Sequence, residues 1–110
     1  MKVAIRVDGS SYIGMGHVMR MLALAQALKR IDHEVIFLSR FEPGLSRIWQ
    51  QGFAVREVVG GLPDGADKEY EPAADSNAVC RILATEQFDC LVTDSYRVDA
   101  DYFRHVRPLV

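Results

Sequence analysis

The stretch KVAIRVDGSSYIGMGHVMRMLALAQALKRI, residues 2–31, decides the fold. Its first six residues, Lys2 to Val7, are mostly apolar, which is typical of a strand buried on both faces of a parallel sheet. A loop rich in glycine and serine follows, and residues 17–31 are mostly good helix formers. Apolar side chains recur there at helical spacing, namely Val18, Leu22, Ala25, Leu28 and Ile31. The stretch therefore predicts a strand, a loop and a helix.

The same alternation continues along the chain. Further strands are predicted over 34–38, 53–59 and 88–93, and helices over 43–51, 75–86 and from about residue 99 onward. Strands that alternate with helices specify a doubly wound, Rossmann-like parallel sheet, which is the α/β fold class that we predict. The pattern would ordinarily begin another strand near Pro108, so we expect one incomplete domain over 1–110.

Composition narrows the class of partner. The net charge is −2, and no lysine or arginine cluster indicates binding to nucleic acid or anionic lipid. The start of the chain lacks the pattern of a signal peptide, and no apolar stretch approaches the roughly 20 residues of a membrane span. We therefore expect a cytoplasmic protein with a small-molecule partner and no membrane span.

The two cysteines lack the spacing of a metal site. Cys80 is predicted in a helix and Cys90 in a buried strand, where a free thiol behaves as a small apolar side chain. We predict no metal and no cofactor.

Reactive residues follow the predicted strands. In open α/β sheets, ligands bind beyond the carboxyl ends of the strands, where Asp8, His17, Asp94 and Tyr96 collect. The loop 14–17, Gly-Met-Gly-His, opens the first helix, whose free N–H groups and dipole favour an anion or a polarised oxygen. Glycine permits a close backbone approach to the ligand.

This loop differs from two known nucleotide-binding patterns. Met19 occupies the third glycine position of a dinucleotide fingerprint, and the second strand ends at Leu38-Ser39-Arg40 instead of an acid, which disfavours NAD. The loop also lacks the glycine-lysine-serine/threonine ending of a P-loop, so nucleoside triphosphate hydrolysis has no support.

His17 is the candidate catalytic residue. A helix N-terminus disfavours the imidazolium form, and a neutral ring is what a general base requires. The alternative is a histidine that caps the loop or bonds a backbone carbonyl.

Four segments of the sequence carry a family resemblance. These are residues 6–11 (RVDGSS), 13–20 (IGMGHVMR), 22–25 (LALA) and 91–96 (LVTDSY). Together they resemble the UDP-2,4-diacetamido-2,4,6-trideoxy-β-L-altropyranose hydrolase family of pseudaminic acid biosynthesis. That family is similar in fold to the GT-B glycosyltransferases, which have two Rossmann-like domains.

The resemblance implies a metal-independent reaction in which water attacks the anomeric carbon of a UDP-linked diacetamido sugar and UDP is released. His17 matches the catalytic histidine, and Asp94 and Tyr96 would position the sugar or the water network. The resemblance also implies that a C-terminal nucleotide-binding domain, in cis or in trans, holds the UDP. By itself this chain would then be catalytically incomplete. The predicted substrate-binding residues are Asp8, Gly14, Met15, Gly16, Arg20, Asp94 and Tyr96.

Several of these residues have structural alternatives. Asp8 is equally suited to hydrogen-bonding loop N–H groups, and Arg6 to pairing with a carboxylate. Arg20 would reach toward a diphosphate or rest on the surface, and Tyr96 could pack as core. Ser95 stands where the family often has histidine, which leaves any role for that side chain open.

Other functions remain open. A GT-B glycosyltransferase would use His17 to deprotonate an acceptor hydroxyl instead of water. A non-catalytic sugar-binding or assembly module of a split enzyme is a third hypothesis, and an open sheet edge would allow self-association. A phosphoacceptor receiver domain has little support, because the first strand end, Asp8-Gly9, supplies no acidic cluster.

Overall fold

A parallel sheet forms the centre of the protein. The computed structural model describes residues 1–58, 72–95 and 98–110, and in these ranges four parallel strands are arranged in the order β3-β2-β1-β4. The strands are β1 (Lys2–Val7), β2 (Glu34–Ser39), β3 (Ala54–Glu57) and β4 (Cys90–Asp94). The helices are α1 (Gly16–Arg30), α2 (Gly44–Gln50), α3 (Pro72–Thr85) and α4 (Ala100–Val106). The predicted Rossmann-like α/β class is confirmed.

Side chains alternate between the two faces of the sheet, as the pleat of a strand requires. On one face, Val3, Ile5 and Val7 of β1 join a core with α1 and α2. On the other face, Ala4 packs in a second core with α3 and α4. Both faces of β1 are therefore covered, which explains its nearly continuous apolar sequence.

Two predicted element starts were displaced. Helix α3 begins at Pro72 instead of residue 75, and Asp75 lies in its first turn, where a carboxylate complements the helix dipole. Strand β4 begins at Cys90 instead of residue 88, because its pairing with β1 starts at Val3 and Cys90. Phe88 is buried as a loop residue, so its apolar character reflects core packing and not strand pairing.

Smaller corrections concern the ends of other elements. Ile31 was predicted on the apolar face of α1 but is exposed, because the helix ends at Arg30 and Asp32 adopts a positive φ of 66°. Strand β3 is shorter than the predicted 53–59, and Val59 lies outside the described residues. Residues Arg107–Leu109, where the pattern would have continued toward a strand, form a short 3₁₀ helix.

Strand β4 is less buried than the sequence predicts. All five of its residues are half-buried, because within the described ranges β4 pairs only with β1. Cys90 is consequently half-buried instead of buried, and Cys80 on α3 is half-buried as well, with both thiols free of disulfides. No helix in 1–58, 72–95 or 98–110 is long and apolar enough to cross a bilayer.

Candidate functional site

The candidate site lies where the strand order reverses. The chain runs from β1 through α1 to β2 on one side of β1, and β4 lies on the other side. Val7 and Asp94, the last residues of β1 and β4, are paired in register, so the loops that follow both strands start side by side. A reversal of this kind opens a crevice at the carboxyl ends of the strands, where α/β sheets bind ligands.

The glycine-rich loop is held by its own hydrogen bonds. The Ser10 hydroxyl oxygen accepts from the backbone N–H groups of Tyr12 and Ile13, and the Gly14 N–H donates to the Ser10 carbonyl at 2.7 Å. Gly14 has a φ of +89°, which side chains rarely adopt. Met15, the N-cap of α1, makes no side-chain cap hydrogen bond.

The outer side of this loop is open. A Cβ atom built on Gly14 or Gly16 would meet nothing within 4 Å, and both glycines are exposed. A ligand can therefore approach the backbone at the start of α1, and the substrate contacts of Gly14, Met15 and Gly16 stay predictions.

A second glycine contact supports the base of the loop and was missed by the sequence analysis. A Cβ atom on Gly44, at the start of α2, would lie 2.7 Å from the Gly9 carbonyl oxygen. The Gly44 N–H donates to that same oxygen at 2.9 Å. On its other side, a Cβ on Gly9 would lie 2.7 Å from Met15 and from Val18. Gly9 is therefore packed between α1 and α2.

His17 and Asp94 meet beside the carboxyl ends of β1 and β4. The His17 Nδ1 atom lies 2.8 Å from Asp94 Oδ1, and the two side chains are 14% and 15% exposed. An ionised carboxylate only accepts hydrogen bonds, so this contact favours the tautomer with its proton on Nδ1. The lone pair that can take up a proton is then on Nε2. The arrangement is that of a histidine base oriented by a carboxylate.

Arg20 completes what we term the His17 cluster, consisting of His17, Arg20 and Asp94. Arg20 lies one turn after His17, and its Nε and Nη2 atoms donate to Asp94 Oδ2 at 2.7 Å and Oδ1 at 2.9 Å. The hydrogen bonds from Arg20, followed by that from His17, hold the pKa of Asp94 below its usual range. Arg20 was predicted to reach a diphosphate or rest on the surface; its side chain is 61% exposed but is engaged with Asp94.

A second group of charges, the buried network, lies nearby at the same sheet edge. Arg6 follows Ala4 by two residues and therefore points to the face covered by α3 and α4. Its guanidinium donates to both oxygens of Asp75, at 2.6 and 3.1 Å, and to both oxygens of Asp8, at 2.5 and 2.8 Å. The Tyr102 hydroxyl donates to Asp75 at 2.6 Å, and the Arg40 N–H donates to Asp8 at 3.0 Å.

Burial and ion pairing shift the pKa values of Arg6 and Asp75 in opposite directions. Burial alone would lower the pKa of Arg6, but Asp8 and Asp75 raise it well above its ordinary value. Burial likewise would raise the pKa of Asp75, but the charge and hydrogen bonds of Arg6 outweigh it, so this pKa is lowered. The charges of Arg6 and Asp75 therefore favour each other's ionised form. The sequence analysis missed the roles of Asp75, Arg40 and Tyr102. The sequence feature that pointed to a buried charge network was Arg6, a charged residue inside an apolar strand.

The predicted site residues thus divide into two groups. His17, Arg20 and Asp94 come together in one cluster. Asp8 belongs to the buried network and accepts a loop N–H, as its structural alternative supposed, although the loop is the one after β2. Its predicted sugar contact stays a prediction. Tyr96 lies outside the described residues.

Comparisons with known proteins bear on the fold. No family model matches the chain. An uncharacterized protein of Methanocaldococcus jannaschii is 29% identical over 99% of this chain, which spans only 20% of that relative. The crystal structure of MurG from Acinetobacter baumannii superimposes with a TM-score of 0.67 at 15% identity, over 99% of this chain and 32% of MurG.

The chain therefore spans about a fifth of the curated relative and about a third of the structural one. At 15% identity the likeness to MurG shows the fold alone. The described strands and helices form a Rossmann-like α/β fold similar to that of the matched part of MurG.

Proposed function

We propose that this chain forms the sugar side of a GT-B-type enzyme that acts on a nucleotide-linked sugar, with His17 as the general base. The observation that carries the proposal is the 2.8 Å contact between His17 Nδ1 and Asp94 Oδ1 at the switch point of the sheet. A histidine held in one tautomer beside an open glycine loop is suited to accept a proton from a bound hydroxyl.

The chemistry follows from the tautomer. A hydroxyl oxygen attacks the anomeric carbon of the sugar and forms a new C–O bond, while the bond from that carbon to the diphosphate oxygen breaks. UDP leaves with the electron pair, and the hydroxyl proton passes to His17 Nε2. The imidazolium that results is stabilised by the Asp94 carboxylate, which Arg20 keeps ionised. In this scheme Asp94 orients the base, a role that differs from the predicted sugar contact.

The source of the hydroxyl separates two candidate reactions. The similarity in fold to MurG favours a glycosyltransferase, in which the hydroxyl belongs to an acceptor. The segments 13–20 and 91–96 resemble the UDP-diacetamido sugar hydrolases instead, which favours water. We put the transferase first, because the solved structure that the chain matches is that of MurG, and keep the hydrolase as the second candidate.

The nucleotide would be bound elsewhere. We propose that a C-terminal nucleotide-binding domain, in cis or in trans, supplies the UDP contacts, because the matched part of MurG is about a third of that protein. Closing that domain over the His17 cluster would exclude water from the crevice and strengthen its electrostatics.

The proposal is tested by measuring UDP release from the UDP-linked diacetamido sugar. The assay uses this chain alone and together with the product of any adjoining reading frame that encodes a nucleotide-binding domain. We expect His17→Ala to lower the rate of release by about 10²- to 10⁴-fold, the contribution typical of a general base. His33→Ala is the matched control, because His33 contacts the chain terminus at the opposite edge of the sheet.

The outcomes discriminate among the candidates. Release that depends on His17 and on an added sugar acceptor supports the transferase, and release in water alone supports the hydrolase. Sugar binding with no release in any combination would instead favour a binding or assembly module. Release at an equal rate from the His17→Ala variant would refute the proposed role of His17.

A further inference from the structure

We propose that Arg20 is a positioning residue that acts on His17 through Asp94. This inference deepens the proposed function, since it rests on His17 serving as the base. It assigns Arg20 to the orientation of the Asp94–His17 pair instead of to the diphosphate contact that the sequence suggested.

The geometry of Arg20 restrains the carboxylate. Its planar guanidinium grips Asp94 in a fork, with Nε on Oδ2 at 2.7 Å and Nη2 on Oδ1 at 2.9 Å. Paired bonds of this kind restrict the rotation of the carboxylate plane, which a single point contact would not do. The restraint leaves Oδ1 at 2.8 Å from His17 Nδ1.

The same contacts specify the state of the imidazole. The Arg20 Nη2 atom lies 3.1 Å from His17 Nδ1, and a guanidinium can only donate hydrogen bonds. If Nδ1 carried the lone pair, it could accept from Arg20, but two lone pairs would then face each other across the 2.8 Å between Nδ1 and Asp94 Oδ1. If Nδ1 carries the proton, both His17 and Arg20 donate to Oδ1. Because Arg20 keeps Oδ1 in place, it favours the second state.

The elements that hold the three residues make this arrangement possible. His17 and Arg20 are separated by three positions on α1 and therefore lie on the same helix face. Asp94 ends β4 directly beside the last residue of β1. The 61% exposure of the Arg20 side chain means that replacing it should leave the core intact, so its effect on His17 can be measured in a folded protein.

The test measures the tautomer of His17 from the ¹⁵N chemical shifts of its ring nitrogens at neutral pH, without substrate. We expect the ratio of the Nδ1–H to the Nε2–H form to fall about two- to five-fold in Arg20→Gln, the change that an exposed ion pair would produce. The ratio should fall further in Asp94→Ala. Arg30→Gln, an exposed arginine at the far end of the same helix, is the matched control and should leave it unchanged.

A double variant shows whether Arg20 acts through Asp94. If it does, the double variant Arg20→Gln/Asp94→Ala should have the same tautomer ratio as Asp94→Ala alone. The carboxylate through which Arg20 acts is absent from both proteins. An unchanged ratio in Arg20→Gln, or an additive effect in the double variant, overturns the proposal. If Arg20→Gln binds UDP more weakly and leaves the tautomer ratio unchanged, Arg20 contacts the diphosphate, as the sequence suggested. The tautomer ratio could fall in Arg20→Gln while the rate of UDP release is the same in His17→Ala as in the parent chain. That result would support the positioning role of Arg20 and refute only the proposed reaction.

Discussion

Two clusters at the same sheet edge contain the same chemical pair, an arginine that donates to both oxygens of an aspartate, but they differ in burial, above all of the arginine. In the buried network, Arg6 and Asp75 are 4% and 2% exposed. In the His17 cluster, Arg20 and Asp94 are 61% and 15% exposed. The first pair lies between the sheet and two helices, and the second lies at the carboxyl end of β4 with its arginine exposed. The difference separates a pair that holds the fold together from one that can serve a reaction.

The physical reason is the surrounding dielectric. A charge deprived of water must keep its partner, so removing one member of a buried pair leaves an expensive, uncompensated ion. An exposed pair exchanges its partner for water at little cost. Variants of the two aspartates should therefore differ in what they damage.

The largest effect is expected from Asp75→Ala. It leaves Asp8 as the remaining carboxylate that Arg6 contacts in the described residues and removes the Asp75 oxygen that accepts from the Tyr102 hydroxyl, so the free energy of unfolding should fall by about 3–5 kcal/mol. Urea unfolding followed by circular dichroism measures the loss. Asp101→Ala is the matched control, because Asp101 is an exposed first-turn aspartate of α4. A loss below about 1 kcal/mol for Asp75→Ala would show that the network is not structural.

A smaller loss of stability is expected when the pH is lowered. The pKa of Asp75 is lowered in the folded state, so the unfolded chain takes up the proton more readily. The stabilisation by the Asp75 carboxylate is then present above its ordinary pKa of about 3.9, and it is lost as the pH falls from there through the lowered value. Urea midpoints measured across this range should decline with acid in the parent chain and less steeply in Asp75→Asn. Parallel curves would contradict this assignment.

The smallest effect on stability is expected from Asp94→Ala. This carboxylate is held mainly by an exposed arginine, so the free energy of unfolding should change by about 1 kcal/mol or less. The rate of UDP release should nevertheless fall, because His17 loses the group that orients it. Measuring both quantities on one preparation tests the separation of the two clusters. A stability loss as large as that of Asp75→Ala would abolish the distinction.

Much of the fold follows from sequence patterns that are local. The apolar run of β1 and the helical spacing of α1 predicted both elements to within one residue, because each is specified by its own period. The meeting of His17 with Asp94 could also be anticipated, since both follow strands at the ligand-binding edge. The tautomer of His17 and the fork of Arg20 could not, because they depend on angstrom-scale side-chain geometry.

The buried network was beyond sequence reasoning for a different reason. Arg6 and Asp75 are 69 positions apart, and Asp75 carried the ordinary signal of a helix start. They come together only because α3 packs on the face of β1 that carries Ala4 and Arg6. An arginine inside an apolar strand indicates that a buried anion is needed, but it does not say which one.

The contact between Gly9 and Gly44 has a consequence for protein engineering. A designer who grafted the contiguous segment 9–20 onto another α/β scaffold would transfer the recognisable motif without the surface against which its base is packed. The unit that must be transferred is discontinuous, because it includes the start of α2 at Gly44, 35 positions away from Gly9. A scaffold with any side chain at the position of Gly44 would push the grafted loop out of place.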